Sequence, residues 1–319
     1  MKVRPGFRLP DEQERLRQKA IRLEWLTIPF LISIIGLMYL VLSQSQAMKT
    51  AWIDDMLGLV PPIAFLISTH LEFKDPNARF PFGFFRSISI AHLLASTALL
   101  VMGAYLLIDS AANLVSGSHP TIGGVELFGQ QIWLGWLMIA VLIYSIIPPL
   151  LLGRRKLPLG EQLHDKVLYT DAKMNKADWL TAVAAIIGIV GIGFGIWWAD
   201  AAAAAFISFD ILRDGLRNTW TAVKDLVDQV PRTVGTMERA PLLDRIRETA
   251  RGLDWVEDAV IQFREEGRLC TGTVYVRPRA TDGLADKVAE AIKIIEDLDW
   301  RLYDVAVVPV PDLEERASE

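Results

Sequence analysis

The sequence predicts an all-α bundle of six membrane-spanning helices, followed by a small cytoplasmic α+β domain with a ferredoxin-like αββαβ order. The mean hydropathy of the 319 residues is +0.30, which is above that of an ordinary water-soluble domain. Six apolar runs follow one another before residue 217. Residues 241–319, in contrast, hold 18 acidic and 11 basic residues, a composition typical of a domain in water.

The six apolar runs are the predicted spans, because about 20 apolar residues cross the hydrocarbon core of a bilayer. A soluble chain of this length cannot bury so many apolar segments in one core. Pro61 and Pro62 in the second run, and Pro148 and Pro149 in the fourth, are expected to interrupt those helices. The runs are residues 25–44, 51–70, 87–115, 132–152, 178–196 and the shorter 201–216.

The distribution of lysine and arginine predicts that both termini are cytoplasmic. The segments before the first run, between the second and third, and between the fourth and fifth hold 7, 3 and 6 basic residues. The opposite loops hold only Lys49, and positive charge marks the cytoplasmic side. The first 24 residues are charged and lack the apolar core of a cleavable signal peptide. We therefore expect a multi-pass protein of a bacterial inner (plasma) membrane.

The periodicity changes after residue 240 and predicts the cytoplasmic domain. Residues 242–252 and 284–298 are amphipathic helices, and residues 256–264, 269–276 and 302–309 alternate as strands. This order suits helices packed on one face of a small sheet. The predicted domains are a cytoplasmic segment at 1–24, a membrane domain at 25–230, and a dimerisation domain with a short acidic tail at 231–319.

Charge and residue types exclude several classes of function. The net charge of -5 divides into about +2 for residues 1–240 and -7 for residues 241–319, so nucleic acid is not an expected partner. The single cysteine, Cys270, excludes an internal disulfide framework. We find no nucleophile–base pair and no phosphate-binding glycine loop, so the chain is not expected to be an enzyme.

Three aspartates at membrane depth are the first candidate site residues. Asp54 and Asp55 lie just inside the second run, and Asp178 begins the fifth. A carboxylate at the bilayer centre costs about 2.5–3.5 kcal/mol, so it usually faces a cavity or a partner. Two interpretations stay open: these side chains serve a functional site, or they lie at helix ends and pair with lysines. The lysines concerned are Lys49, Lys173 and Lys176.

The predicted architecture and three short motifs resemble the cation diffusion facilitator family of divalent-metal/proton antiporters. Residues 80–86, Phe-Pro-Phe-Gly-Phe-Phe-Arg, look like the family's H-P-Y-G-H-G-R/K loop before the third span. Residues 170–178 look like its D-A-x-H-x-x-x-D start of the fifth span, and residues 198–201 are similar to its W-x-D-P/A turn. The resemblance covers residues 20–312 and implies a homodimeric cation transporter.

The resemblance also implies a metal site, of which this chain keeps two carboxylates. The family's four ligands, paired four residues apart on the second and fifth spans, fall on Asp54, Gly58, Met174 and Asp178. Met174 offers only a weak thioether, and an oxygen-rich set favours Mg²⁺, Mn²⁺ or Fe²⁺ over Zn²⁺ as the transported cation. No tightly bound cofactor is expected. Neighbouring donors that could complete the set are Asp55, Asn175 and Asp171.

A further pair, Arg86 and Asp228, matches the cationic and acidic positions that interlock two protomers at the membrane surface in this family. The cytoplasmic domain contains no histidine, so we expect it to dimerise without bound metal. Besides the lipid bilayer, a second copy, a divalent cation and protons are the implied partners, with other protein subunits open. The alternative function is a non-transporting structural or interaction subunit that keeps the fold, since part of the ligand set is missing.

Overall fold

A computed structural model of the protein describes residues 7–117, 121–127, 130–234 and 238–313. By length and composition, five helical segments of this described chain can cross a membrane, with α2 and α3 counted as one. The protein is therefore a multi-pass membrane protein, as predicted. The helices of the membrane domain are α1 (Asp11–Val41), α2 (Gln46–Leu57), α3 (Val60–Glu72), α4 (Ser87–Ser116), α5 (Leu134–Gln162), α6 (Lys166–Gly193) and α7 (Trp197–Leu226).

The sixth predicted span lies within α7, which has 30 residues and is long enough to cross a bilayer. Its middle carries Asp210, Arg213 and Asp214, and this charge keeps it out of the apolar set. The count of six spans therefore stays a prediction. A two-stranded antiparallel hairpin, β1 (Gly124–Leu127) and β2 (Gln130–Trp133), connects α4 to α5 and was not predicted.

The two proline pairs behave differently. The second span breaks at Gly58 and Leu59, between α2 and α3, where Pro61 and Pro62 remove two backbone donors from the first turn of α3. The fourth span, in contrast, runs unbroken as α5 through Pro148 and Pro149, so the predicted interruption there is wrong. Membrane helices tolerate such prolines when neighbouring groups satisfy the freed carbonyls.

Close packing between α4 and α7 holds the centre of the bundle together. A Cβ atom built on Gly103 of α4 would lie 2.6 Å from the backbone nitrogen of Leu212, and one built on Gly215 of α7 would lie 2.5 Å from that of Leu100. Only glycine permits backbones to approach so closely, as in other small-residue helix contacts. Because α7 packs this closely against α4, the polar residues of α7 lie close to the other helices of the bundle.

The C-terminal domain has the predicted αββαβ order. Strand β3 pairs antiparallel with β4, which pairs in parallel with β5, so the sheet order is β3-β4-β5. Both helices pack with the sheet in one apolar core. The ferredoxin-like assignment of this arrangement stays a prediction. The elements are α8 (Leu242–Arg251), β3 (Val256–Glu266), β4 (Leu269–Pro278), α9 (Leu284–Glu296) and β5 (Leu302–Pro309).

The turn between β3 and β4 docks this domain onto the membrane domain. Arg268 is buried and donates to Asp165 over 2.8 Å and to Thr69 over 3.2 Å, with Glu72 at 3.5 Å. Beside it, Lys166 donates to both Asp225 and Glu265. A buried arginine needs such partners, because an unpaired charge is costly to remove from water. The docking turn therefore holds the end of α3 and the start of α6 together.

His164, between α5 and α6, makes this interface sensitive to acid. Its ring lies 6.3 Å from that of Trp300, and burial followed by the charge of Arg301 lowers the pKa of His164 from 6.5 to about 4. Between these pH values His164 binds a proton in the unfolded chain but not in the folded chain. The free energy of unfolding therefore falls as the pH drops from 6.5 towards 4.

We expect His164→Asn to flatten this part of the pH dependence, measured as the melting temperature of the full chain in nanodiscs between pH 7.5 and 4.5. Asparagine is chosen because residue 164 has a φ of 50°, which asparagine adopts readily. His70→Asn, at an exposed position, is the matched control and should keep the wild-type slope. An unchanged slope in His164→Asn would contradict the assignment.

Candidate functional site

A small cavity between α2, α4, α6 and α7 brings together most of the predicted site residues. Its volume is about 30 Å³, enough for an ion or one or two waters. Asp54, Met174 and Asp178 line it, as predicted from the positions of the family's metal ligands. Two carboxylates that were not predicted, Asp210 and Asp214, line it as well. The cavity thus presents four carboxylates and one thioether.

Asp54 is positioned by the start of α2. Ser45 caps this helix by accepting from the backbone nitrogen of Met48 over 3.0 Å. Asp200, fully buried at the start of α7, accepts from the Ser45 hydroxyl over 2.6 Å and from the backbone nitrogen of Gln46. A carboxylate at a helix N-terminus is favourable in charge as well as in hydrogen bonding. Asp200 of the W-x-D-like turn therefore ties α2 to α7.

Met174 and Asp178 are presented by α6, which begins well before the apolar run. Asp165 caps the helix by accepting from the backbone nitrogen of Leu168 over 2.9 Å. Asp178 lies near the middle of this 28-residue helix, whereas we expected it to begin the helix. Residues 174 and 178 are four apart and share one face. Thr181, one turn further along α6, lines the same cavity as Asp54.

The other candidate donors do not line the cavity. Asp55 is adjacent to Asp54 in sequence but is absent from the lining. Asp171 accepts hydrogen bonds from Lys156 over 2.6 Å and from Asn175 over 3.0 Å, so Asp171 and Asn175 are both engaged away from the cavity. None of the three candidates therefore completes the ligand set in this conformation.

The described side chains also do not form the alternative ion pairs between these aspartates and the lysines. Lys49 lies 3.7 Å from Asp109. Lys173 is exposed and, within the described ranges, forms no ion pair with Asp54 or Asp178. The side chain of Lys176 lies outside the described residues.

Asp210 and Asp214 could have been recognised from the sequence. They are four residues apart, as ligands on one helix face are, and α6 and α7 form a hairpin around Gly195. Asp178 precedes Gly195 by about as many residues as Asp210 follows it, so the hairpin places them at similar depth. The signal was hidden because the sixth apolar run was the weakest.

A wider cavity of about 270 Å³ adjoins the small one and reaches towards the C-terminal domain. Met174, Asp210 and Asp214 line both. At its other end the lining includes Lys166, the first residue of α6, and Val234, which follows α7. The shared residues make a polar route from the end of the bundle to Asp54 and Asp178.

The described side chains of the small cavity do not present a closed set of metal ligands in this conformation. Among the described residues, no three His, Cys, Asp or Glu side chains meet the geometry of a metal cluster. A cation that keeps part of its water shell, as Mg²⁺ and similar hard ions do at carboxylate sites, does not need such a closed set of ligands. Such an ion would bind directly to some carboxylates and through water to others.

A second polar cluster lies fully buried beside the cavity. Lys156 of α5 donates to Glu24 of α1 over 2.7 Å and to Asp171 of α6 over 2.6 Å, and all three side chains are almost inaccessible. Two carboxylates thus share one ammonium, which links three helices. This cluster was not predicted, because an ion pair between distant helices has no local sequence signal.

The predicted Arg86–Asp228 pair is formed within the single chain. Arg86, just before α4, donates to Asp228, just after α7, and also to the carbonyl of Leu226 over 3.2 Å. Arg264 of β3 lies 3.6 Å from the same carboxylate. Through Arg264, this pair connects the membrane domain to the C-terminal domain. Its role between two protomers stays a prediction.

Cys270, the single cysteine of the chain, is not positioned to be a soft metal ligand. Cys270 is buried in β4, and burial raises the pKa of its thiol to about 12. Only the thiolate is a good metal ligand, so this cysteine behaves as a small apolar residue.

A bundle of apolar helices with an acid-lined cavity at membrane depth, joined to a small α+β domain, has the build of a cation-transport protein. The chain belongs to the cation efflux family: the family model described as "Cation efflux transmembrane domain" matches residues 25–227. This finding confirms the resemblance drawn from the motifs.

Individual relatives are distant. The manganese efflux system protein MneS of Bacillus subtilis (strain 168) is 24% identical over 182 residues, which are 57% of this chain and 59% of MneS. The uncharacterized transporter YdbO of the same organism is 23% identical over 281 residues, 84% of this chain and 88% of YdbO. The magnetosome protein MamB of Magnetospira sp. (strain QH-2) is 24% identical over 188 residues, 59% of this chain and 60% of MamB. The match thus spans about 60% of the length of MneS and of MamB.

Proposed function

We propose that the protein exports a divalent metal cation across the membrane in exchange for protons. The observation that carries this proposal is the cavity that holds Asp54 and Asp178 together and shares three lining residues with the wider one. Burying carboxylates at membrane depth is costly unless they serve a ligand or a partner. Carboxylates that bind either a cation or protons couple the two fluxes, and rocking of the helices around them gives alternating access.

The cation proposed first is Mn²⁺. A site of carboxylate oxygens, water and a single thioether suits hard and borderline divalent ions. Zn²⁺, in contrast, prefers sites that are rich in nitrogen ligands. The name of the relative MneS, a manganese efflux system protein, supports the same choice. Mg²⁺, Fe²⁺ and Zn²⁺ are the competing substrates.

The working unit we propose is a homodimer with six spans per protomer and both termini in the cytoplasm of a bacterial cell. The positive loops support this orientation. The wider cavity then opens towards the cytoplasm, because it runs towards the C-terminal domain. The half-exposed Arg86–Asp228 pair supports this dimer, because the corresponding pair interlocks two protomers in the family that the chain resembles.

The test is reconstitution of the purified protein in liposomes that contain a pH-sensitive dye. We expect an Mn²⁺ gradient to drive proton movement in the opposite direction, with smaller effects of Mg²⁺, Fe²⁺ and Zn²⁺. A chain that folds and inserts but moves no proton with any of these cations would support the alternative, a non-transporting structural or interaction subunit.

A further inference from the structure

Helix α7 supplies half of the carboxylates that line the small cavity. Asp210 and Asp214 of α7 face the cavity that Asp54 and Asp178 line from α2 and α6. Asp210 and Asp214 are close enough to Asp54 for their charges to act on it. No ion pair among the described side chains uses Asp210 or Asp214, so they are not neutralised by a direct contact. They are also half-buried, which leaves their oxygens accessible from the cavity.

We propose that Asp210 and Asp214 are cation ligands that replace the two donors missing at Gly58 and Met174. The inference rests on the proposed transport function and specifies its site. A D-x-x-x-D pair, which the second span has lost at Gly58, is thus present on α7 instead. The spacing of four residues puts both carboxylates on one helix face, as ligation by a single helix requires.

His92 gives an independent sign that a polar ligand enters this route. It lies on α4, is only 6% exposed, and lines the wider cavity together with Asp210 and Asp214. Within the described chain its Nε2 atom has no hydrogen-bond partner. A buried imidazole nitrogen without a partner is unfavourable, because it has given up its hydrogen bonds to water. A cation with its water shell passing this point would supply the missing partner.

When no cation is bound, nearby basic residues offset part of the negative charge of Asp210 and Asp214. Arg213, Arg217 and Lys173 line the wider cavity, and their charges act on Asp214 from outside direct contact. They offset part of the repulsion between the carboxylates. A divalent cation among the carboxylates takes over this role at shorter distance, where attraction is stronger.

The test measures Mn²⁺ binding to the full-length protein in nanodiscs by electron paramagnetic resonance of the free ion. We expect the double variant Asp210→Asn/Asp214→Asn to bind Mn²⁺ at least about tenfold more weakly, since loss of even an outer-shell partner costs about 10–100-fold. Asparagine preserves the shape of each side chain. An unchanged melting temperature without Mn²⁺ shows that the fold is kept.

Gly58→Asp in the double variant provides the rescue. Residue 58 has φ −58° and ψ −16°, which any residue adopts, and a built Cβ lies 3.2 Å from the Asp55 carbonyl oxygen, so an aspartate fits with a small shift. We expect Gly58→Asp to recover Mn²⁺ affinity and the matched Gly58→Asn to leave it weak. Wild-type affinity in the double variant, or weakening that Gly58→Asp does not reverse, overturns the inference.

Failure of this inference is distinct from failure of the proposed function. If Asp54→Asn and Asp178→Asn lose Mn²⁺ binding while the α7 double variant keeps it, only the role of Asp210 and Asp214 is refuted. If the wild-type protein neither binds nor transports any of the four cations, the proposed function is refuted.

Discussion

Asp178→Asn is expected to reduce cation-driven proton flux to that of empty liposomes. The substitution removes one carboxylate from a cavity with few strong ligands, and the remaining thioether of Met174 does not compensate for hard ions. The amide of asparagine also cannot exchange a proton in place of a cation. Asp54→Asn is expected to have the same effect. The measurement is the dye signal under an imposed Mn²⁺ gradient.

The matched control is Asp109→Asn, since Asp109 is also a carboxylate of the membrane domain but pairs with Lys49 away from the cavity. This variant should transport at close to the wild-type rate. Normal flux in Asp178→Asn would refute the transporter as argued. In the opposite direction, Gly58→Asp with Met174→His restores the family's ligand types and should shift selectivity towards Zn²⁺.

Lys156→Met is expected to cause the largest loss of stability. The buried ammonium of Lys156 is the partner of both Glu24 and Asp171, and methionine leaves two carboxylates buried without it. Removing one partner of a buried ion pair costs about 3–5 kcal/mol. We expect the free energy of unfolding in lipid nanodiscs to fall by about this amount. In hydrogen exchange, the backbone amides of α1, α5 and α6 should be the first to lose protection, as these three helices separate.

Two further variants make this prediction specific. Arg251→Ala removes an exposed pair with Asp258 and should change the free energy of unfolding by at most about 1 kcal/mol. The triple variant Glu24→Gln/Lys156→Met/Asp171→Asn removes all three charges and should recover most of the loss, because no uncompensated charge remains. A single Lys156→Met variant as stable as the wild type would show that water reaches this cluster.

Much of the C-terminal domain could be predicted because its signals are local. The alternation of residues 302–309 predicted β5 with the bounds that the structure has, Leu302–Pro309. The turn at Gly267, whose φ is 68°, separates β3 from β4 as its composition suggested. The helix α6 was harder, because its first half is polar. It is helical there through its Asp165 cap and its packing on α5, which hydropathy does not reveal.

The sequence by itself determined the apolar segments, the αββαβ order and the two retained aspartates, because each depends on the composition or spacing of neighbouring residues. Only the tertiary structure decided which acids share a cavity. Asp55 is excluded from it, while Asp210 and Asp214 join it from α7. Likewise, Asp171 is held by Lys156, 15 residues earlier, which also donates to Glu24 on another helix. Contacts between helices depend on close approaches such as that of Gly215 to Leu100, which no local pattern specifies.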